Sequence, residues 1–310
     1  MILCVTPNAA LDRTVVAPGY AKGGVLRATE VVVAPGGKGI NVARATALLD
    51  GTPFCAGFLG GFTGRQVEAL AEAEGFRGRW TWLPNLETRC CTIVVDPEGE
   101  AVVINERGAH VSLGDWARLH QDVLAAAAQV EAVCVCGSLP TGSPLDAFEN
   151  LLRDLLADGK QVWVDTSGDP LEAAARVQGV RLKINDDEIG ALLKTTVRTP
   201  EAAAAAARQL SSQMKAPCVI TLGELGAIYA DDGQCWHATP PKIQVVSAVG
   251  SGDSLLAGLV VGLELGKPPA EALRSGVAAG AANALSLGGG RFGLDEYRWI
   301  LNDTSVETIY

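Results

Sequence analysis

The sequence predicts an α/β fold built around a doubly wound, mostly parallel sheet. Five short, uninterrupted apolar runs are typical of strands that are buried on both faces. Amphipathic helical segments lie between them, and this alternation indicates a parallel sheet with helices on both sides. The runs are residues 2–5, 132–136, 162–164, 181–184 and 218–221, and the helical segments include residues 119–129, 146–157 and 200–213.

Two other segments are rich in β-branched residues and lack the alternation with helices, which predicts a second, smaller sheet. They cover residues 27–33 and 92–104, and Asp96-Pro97-Glu98-Gly99 supplies the turn of a hairpin in the second segment. Such a sheet is either a lid over a site or an ordinary edge extension, and the strand pattern favours neither.

Composition excludes several classes of protein. The chain has 310 residues, with 25 Lys+Arg against 35 Asp+Glu, so its formal charge is −10 and no nucleic-acid partner is expected. A hydrophobic share of 48% supports a large core. No signal peptide is recognisable, and the apolar stretch 255–263 is too short to cross a bilayer. We therefore expect a cytoplasmic protein with no membrane partner. The eight cysteines lack zinc-site spacing and are expected to be structural thiols.

The first glycine cluster, at residues 35–45, opens an apolar helix with Gly36, Gly37, Lys38 and Asn41. Unpaired backbone N–H groups at such a turn suit anionic or hydroxyl-rich ligands. The spacing fits neither a Walker loop nor a Rossmann fingerprint, and no suitable strand directly precedes it. A glycine turn needed only for close packing is an equally good interpretation of this cluster alone.

The second cluster contains Gly250, Ser251, Gly252 and Asp253 at the start of a long apolar helix. The three small residues would form an anion-binding cup of amides, with the carboxylate at its lip. Phosphoryl transfer needs donors for the moving phosphoryl oxygens and a carboxylate that accepts the proton of the attacking hydroxyl. The alternative is that Asp253 merely caps the helix.

Other polar residues follow the predicted strands, where open parallel sheets bind their ligands. Asp12 follows the first run, Asn185 and Glu188 follow the fourth, and residues 221–226 close the fifth. Ser138 and residues 165–168 follow the second and third runs. The oxygen ligands of Asn185 and Glu188 suit Mg²⁺.

On these residues the chain resembles the PfkB-type, ribokinase-like sugar kinases, and most of all their phosphosugar branch of 1-phosphofructokinases and tagatose-6-phosphate kinases. Two signatures carry the resemblance, residues 36–41 and 249–254, in order and about 200 residues apart. The resemblance covers essentially the whole chain. It implies one ribokinase-like domain over residues 1–310, with a small β lid formed by approximately 12–34 and 88–108.

The resemblance also implies ATP as phosphoryl donor and assigns roles to individual residues. Asp253 would be the catalytic base, and the amides of Gly250, Ser251 and Gly252 would be the anion hole. Asn185 and Glu188 would organise Mg²⁺, directly or through water. The implied sugar contacts are Asp12, Arg27, Gly36, Gly37, Lys38, Asn41, Arg89 and Ser138, and the implied nucleotide contacts are Lys183, Asn185, Thr221, Gly223, Gly226 and Asn283.

Charge favours a substrate that already carries a phosphate. Lys38, Arg27 and Arg89 are the cations available to bind that phosphate, and in the phosphosugar branch that the chain resembles the matching positions contact it. The alternative for the two arginines is a solvated lid face. We therefore expect an ATP-dependent kinase of a ketohexose phosphate: fructose 1-phosphate, fructose 6-phosphate or tagatose 6-phosphate.

The alternatives are a kinase of a free sugar or nucleoside on the same fold, and a sugar-phosphate-binding regulator without turnover. A homodimer through the lid strands and a monovalent-cation site are compatible with the sequence.

Overall fold

The computed structural model describes residues 1–19, 25–96 and 101–309, and its elements follow one another in α/β order. The strands are β1 (Ile2–Thr6), β2 (Ala10–Val16), β3 (Glu30–Gly36), β4 (Pro53–Leu59), β5 (Arg77–Trp82), β6 (Arg89–Val95), β7 (Val102–Asn105), β8 (Ala132–Cys136), β9 (Gln161–Asp165), β10 (Arg181–Asn185), β11 (Cys218–Thr221), β12 (Ala227–Asp231), β13 (Gln234–Thr239) and β14 (Ser305–Thr308). The helices are α1 (Lys38–Leu48), α2 (Gly61–Ala73), α3 (Leu113–Ala127), α4 (Leu145–Ala157), α5 (Asp169–Ala174), α6 (Asp186–Leu193), α7 (Pro200–Met214), α8 (Ser251–Glu264), α9 (Pro269–Ala284) and α10 (Leu294–Asp303).

The large sheet has the strand order β14-β13-β12-β11-β10-β9-β8-β1-β4-β5. Pairing is parallel from β11 through to β5 and antiparallel from β11 to β14. Apolar side chains pack against both faces, so the strands read as continuous hydrophobic runs. All five predicted strands are present, which confirms the predicted fold class.

The chain reverses its direction of winding between β1 and β8. From β1 it winds towards β4 and β5, and from β8 it winds the other way towards β11. Ligands of open α/β sheets bind beyond the carboxyl ends of strands at such a switch point. The loops after β1 and β8 therefore border the expected site.

The small sheet has the order β3-β2-β6-β7. The predicted hairpin is β6 and β7, with Val94 opposite Val102, while residues 97–99 of its predicted turn lie outside the described residues. Asp12, expected after the first run and within the lid segment, lies inside β2 of this sheet. The predicted start of the next strand at Arg27 was wrong, because Arg27 lies exposed before β3, which begins at Glu30, the partner of Val16 in β2.

The small sheet also changes the interpretation of the first glycine cluster. We expected no strand directly before it, but β3 ends at Gly36 and α1 begins at Lys38. The turn therefore joins a strand of the small sheet to a helix of the main layer. Through that connection, the small sheet is anchored at the edge of the switch point.

None of the helices in the described parts of the chain is both long and apolar enough to span a bilayer. All eight cysteines are free thiols, and burial raises the pKa of Cys55 to about 12.

Candidate active site

The N-terminus of α8 is the centre of the site. Gly250 precedes the helix with φ = 82°, and a Cβ there would come within 2.3 Å of the Gly289 Cα, so only glycine fits. Asp253 lies in the first helical turn and is buried. The Ser251 amide donates to the Ala248 carbonyl at 3.2 Å, so in this structure it is not the free donor that the sequence predicted.

The two glycine clusters meet at Asp253. Asn41 Nδ2 in α1 donates a hydrogen bond of 2.9 Å to Asp253 Oδ2, across 212 residues of sequence. Both side chains are buried. The carboxylate of the second cluster therefore lies directly beside the turn formed by the first, as a shared site requires.

Asp12 lies against Gly36 on the same side of the site. A Cβ at Gly36 would be 2.1 Å from the Asp12 Cγ, so the missing side chain is what makes room for this carboxylate. Burial raises the pKa of Asp12 to about 6, with Asp253 adding to the rise and the Arg44 and Arg89 guanidinium groups opposing it. Asp12 and Asp253 thus influence each other electrostatically.

Two lysines converge on one buried carboxylate, Asp165 at the end of β9. Lys38 Nζ lies 2.7 Å from Asp165 Oδ1, and Lys183 Nζ lies 2.9 Å from Oδ2. Lys183 Nζ also fills the space where a side chain at Gly252 would begin, 2.7 Å from that Cβ position. Burial opposes ionisation of Asp165, but the two ammonium groups outweigh it and hold its pKa below the ordinary value.

Asp253 is itself a perturbed acid. Burial raises its pKa and Asp165 adds to the rise, while Lys38, Lys183 and the Asn41 hydrogen bond oppose it. A carboxylate with a raised pKa next to two cations has the properties expected of a general base.

Asn185 and Glu188 form a capping box at the start of α6. The Glu188 backbone N–H donates to Asn185 Oδ1 at 2.7 Å, and the Asn185 N–H donates to Glu188 Oε2 at 2.9 Å. The negative charge of Glu188 acts on Lys38, whose pKa is raised chiefly by Asp165 against the effect of burial. In the described parts of the chain, no three or more His, Cys, Asp or Glu side chains could hold a metal ion on their own.

The expected nucleotide contacts differ in accessibility. Thr221 ends β11, and Gly223 and Gly226 bound a short 3₁₀ turn with φ of 58° and 88°. Asn283 is fully buried: its Oδ1 accepts from Ser254 Oγ at 3.1 Å, and its Nδ2 donates to the Val249 carbonyl at 2.8 Å. In this structure Asn283 braces the loop before α8 rather than facing open space.

The two arginines proposed to bind phosphate differ in how firmly the protein holds them. Arg89 begins β6, and its Nη2 and Nε donate to the Asn8 carbonyl at 3.0 and 3.1 Å. Asn8 in turn donates to Ser138 Oγ at 3.0 Å, which joins the loops after β1 and β8. Arg27 is exposed, and no hydrogen bond or ion pair ties it to these residues within the described ranges.

Two residues of the site were not assigned from the sequence. Asp165 was recognised only as one of several polar residues after strands, and its convergence with two lysines could not be inferred from spacing. Arg44 was missed altogether. Its signal was its position one helical turn after Asn41, because residues three apart share a helix face.

Comparisons with known proteins agree over almost the whole chain. A family model described as pfkB family carbohydrate kinase matches residues 4–295. A 1-phosphofructokinase of Haloferax volcanii is 32% identical over 308 residues, covering 99% of this chain and 98% of the relative. The ATP-dependent 6-phosphofructokinase isozyme 2 of Escherichia coli strain K12 is 31% identical over 292 residues, covering 93% of each. A tagatose-6-phosphate kinase of Staphylococcus epidermidis is 28% identical over 310 residues, covering 99% of each.

Solved structures show the same architecture. Phosphofructokinase-2 from E. coli in complex with substrates and products has a TM-score of 0.89 at 30% identity, covering 97% of this chain and 98% of that one. The same enzyme has been solved in complex with potassium and as a tetrameric inhibited form.

Proposed function

The chain belongs to the pfkB family of carbohydrate kinases, and we propose that it transfers the γ-phosphoryl group of ATP to a primary hydroxyl of a ketohexose phosphate. The products are a ketohexose bisphosphate and ADP. Fructose 1-phosphate, fructose 6-phosphate and tagatose 6-phosphate are the candidate acceptors, since the curated relatives include enzymes named for each. The observation that carries the proposal is the Asn41–Asp253 hydrogen bond, because it joins the two signature loops into one site.

The proposed reaction uses Asp253 as general base. The acceptor O–H bond breaks, its proton passes to Asp253, the oxygen forms a bond to the γ-phosphorus, and the bond to the ADP oxygen breaks. A base within hydrogen-bonding reach of the acceptor is what this step needs. Asp12 and the backbone at Gly36 and Gly37 would hold the sugar hydroxyls beside it.

Charge stabilisation of the moving phosphoryl group would come from the N-terminus of α8 and from two lysines. The backbone N–H groups of Gly250, which precedes the helix, and of Gly252 in its first turn lie at the positive end of the helix dipole. Lys183 Nζ lies against Gly252, and Lys38 is held through Asp165 on the same side. Such preorganised donors stabilise charge that develops in the transition state.

Mg²⁺ is the cation we expect to accompany ATP, where it would neutralise charge on the phosphate oxygens. The residues present fit it. Glu188 offers a carboxylate beside Asn185, and Mg²⁺ commonly takes one or two protein carboxylates and completes its shell with phosphates and water. Thr221, Gly223 and Gly226 would line the nucleotide, whereas Asn283 would act only through the loop that it braces.

The phosphate already present on the acceptor would be bound by Arg89, with Arg27 able to join from the exposed segment before β3, whereas Lys38 is held at Asp165 beside the moving phosphoryl group. Arg89 is anchored at Asn8 beside Ser138, so its position relative to the switch point is fixed. Its Nε and Nη2 donate to the Asn8 carbonyl and its Nη1 to the Glu106 carbonyl, so phosphate would be bound by the remaining N–H bonds of Nη1 and Nη2.

The small sheet is proposed to cover the site as a lid and to form a homodimer contact. One reason is its exposed apolar residues Val31, Val32, Val103 and Ile104, since such patches commonly mark interaction surfaces. A monovalent cation is a further proposal, prompted by the potassium complex of the E. coli enzyme.

The test is ADP release with ATP, Mg²⁺ and a panel of acceptors: the three ketohexose phosphates, free fructose and a nucleoside. We expect one phosphorylated sugar to give the highest kcat/KM, and Arg89→Ala to raise the KM of that sugar without changing the KM of ATP. A free sugar or nucleoside as best substrate would contradict the phosphosugar assignment. Thermal stabilisation by a sugar phosphate without ADP release from any acceptor would indicate a regulator instead.

A further inference from the structure

Arg44 in α1 is a buried arginine with four acceptors around it. It is 7% exposed. Nη1 donates to Asn41 Oδ1 at 3.1 Å and to the Gly289 carbonyl at 2.6 Å, Nη2 donates to the Pro35 carbonyl at 2.7 Å, and Nε pairs with Glu74 Oε2 at 2.6 Å. Burying a guanidinium is costly, and an apolar side chain of similar size would fill the same space. Packing alone therefore does not account for this residue.

The contact with Asn41 decides which end of that amide faces Asp253. A side-chain amide has a carbonyl oxygen that only accepts and an NH₂ group that only donates. Arg44 occupies the oxygen, so the NH₂ group is directed at Asp253 Oδ2. Gly289 packs against the NH₂ group of the same amide, since a Cβ there would lie 2.4 Å from Asn41 Nδ2. Without Arg44, the amide oxygen would lose its anchor and the Asn41 side chain could rotate away from Asp253, which would weaken the hydrogen bond.

We propose that Arg44 is a positioning residue for phosphoryl transfer: it locks the Asn41 amide onto Asp253 Oδ2 and thereby leaves Asp253 Oδ1 directed at the acceptor hydroxyl. This role rests on the proposed kinase function. Its contacts at Pro35 and Gly289 tie the glycine turn and the loop beside Gly250 to the same guanidinium. Arg44 therefore acts on the base through Asn41, and each of its three side-chain nitrogens donates to an acceptor of the protein itself.

The other charged groups that act on Asp253 lie on different elements. Lys38 is on α1, Asp165 on β9, Lys183 on β10 and Asp12 on β2. Within the described residues, no hydrogen bond or ion pair joins Arg44 to any of these four side chains, although its charge lowers the pKa of Asp12. A substitution at Arg44 thus changes the hydrogen bonding of Asp253 while leaving its closest charged neighbours in place.

Arg44→Met tests the proposal, because methionine keeps an apolar stem and removes the donors. We expect kcat to fall about tenfold or more, since misplacing a reacting group by ~1 Å can cost about 10²-fold. The KM for ATP should stay within about twofold. Glu74→Gln is the matched control: it weakens the ion pair at Nε but leaves the bond to Asn41, so kcat should remain within about twofold of the parent. An equal loss in both variants would mean that Arg44 acts through general packing or charge.

A double-substitution cycle asks whether the effect passes through Asn41. In an Asn41→Ala background, Arg44→Met should change kcat less than about twofold, because the amide it controls is gone. The same loss as in the parent would overturn the proposal.

A readout without turnover separates this inference from the kinase assignment. The ¹³C carboxyl signal of Asp253, assigned by its absence in Asp253→Asn, should titrate at higher pH in Arg44→Met and unchanged in Glu74→Gln. An unshifted titration overturns the positioning role whether or not the protein turns over. If Arg44→Met does not fold, Arg44→Gln is used, since it keeps a polar side chain that ends at the depth of Nε and places no donor at Nη1, the atom that serves both Asn41 and the Gly289 carbonyl. Parental kcat in that variant refutes the proposal.

Discussion

Asp253→Asn is the most direct test of the site. The substituted amide has the same shape and can still accept the Asn41 hydrogen bond through its oxygen, so the geometry of the α8 N-terminus is preserved. What is lost is the ability to accept the proton of the acceptor hydroxyl. General-base roles contribute about 10²–10⁴ in rate, which corresponds to ~2.7–5.4 kcal/mol of activation free energy. The N-terminus of α8, Lys38 and Lys183 remain, so phosphate binding should be retained.

The assay is coupled ADP release with the best acceptor of the panel, at saturating and limiting ATP. We expect kcat to fall by about 10²–10⁴ with the KM for ATP within about twofold. A fall of less than about tenfold in kcat would refute the assignment of Asp253 as base.

The same substitution makes a prediction about stability, with the opposite sign. Burial raises the pKa of Asp253, so the native state holds the proton more tightly than the unfolded chain and the carboxylate opposes folding at neutral pH. Removing it should raise the melting temperature at pH 8. The gain should shrink towards about pH 4, where the unfolded carboxyl also becomes protonated. A lower melting temperature for Asp253→Asn at pH 8 would contradict this account of the buried charge.

Three further results are expected. Burial raises the pKa of Asp12 to about 6, and protonation removes its charge and turns one oxygen into an O–H donor, which weakens the hydrogen bonds that it accepts from sugar hydroxyls. The KM of the acceptor should therefore rise as the pH falls below 6, by at most about tenfold per pH unit. Asp12→Asn should abolish this pH dependence, and a rise in KM that persists in the variant would exclude Asp12 as its origin. Gly36→Ala places a Cβ 2.1 Å from the Asp12 Cγ and should raise the acceptor KM at least about tenfold, whereas Gly114→Ala, whose Cβ would meet only one atom at 3.7 Å, should leave it unchanged. Asp165→Ala leaves the buried Lys183 ammonium unpaired and should lower the free energy of unfolding by about 3–5 kcal/mol in denaturant titrations; a loss below about 1 kcal/mol would show that the ion pair is dispensable.

Parallel strands could be predicted where both faces are buried, because such strands are continuous apolar runs without alternating polar residues. The segments of β1, β8, β9, β10 and β11 were found for this reason. β4 and β5 were missed, since glycine and alternating polar residues interrupt their apolar character and only pairing with β1 defines them. The bounds of β3 followed its pairing with β2 rather than its own composition.

The loops that carry the reacting groups could also be predicted from the sequence, because glycines at positive φ and a carboxylate in a first helical turn are local features. Gly250 and Asp253 are correctly placed for this reason. Contacts between distant segments could not be predicted from the sequence. The convergence of Lys38 and Lys183 on Asp165, and the orientation of Asn41 by Arg44, depend on three-dimensional register.

The amino-acid sequence by itself determined the layer architecture, the helix entries and the residue types available for phosphoryl transfer, because these depend on local periodicity and backbone freedom. Only the tertiary structure decided which side chains meet in hydrogen bonds and ion pairs. A hydrogen bond of 2.9 Å across 212 residues, like that between Asn41 and Asp253, arises when the strands are ordered and their carboxyl ends meet, and no local pattern specifies that distance.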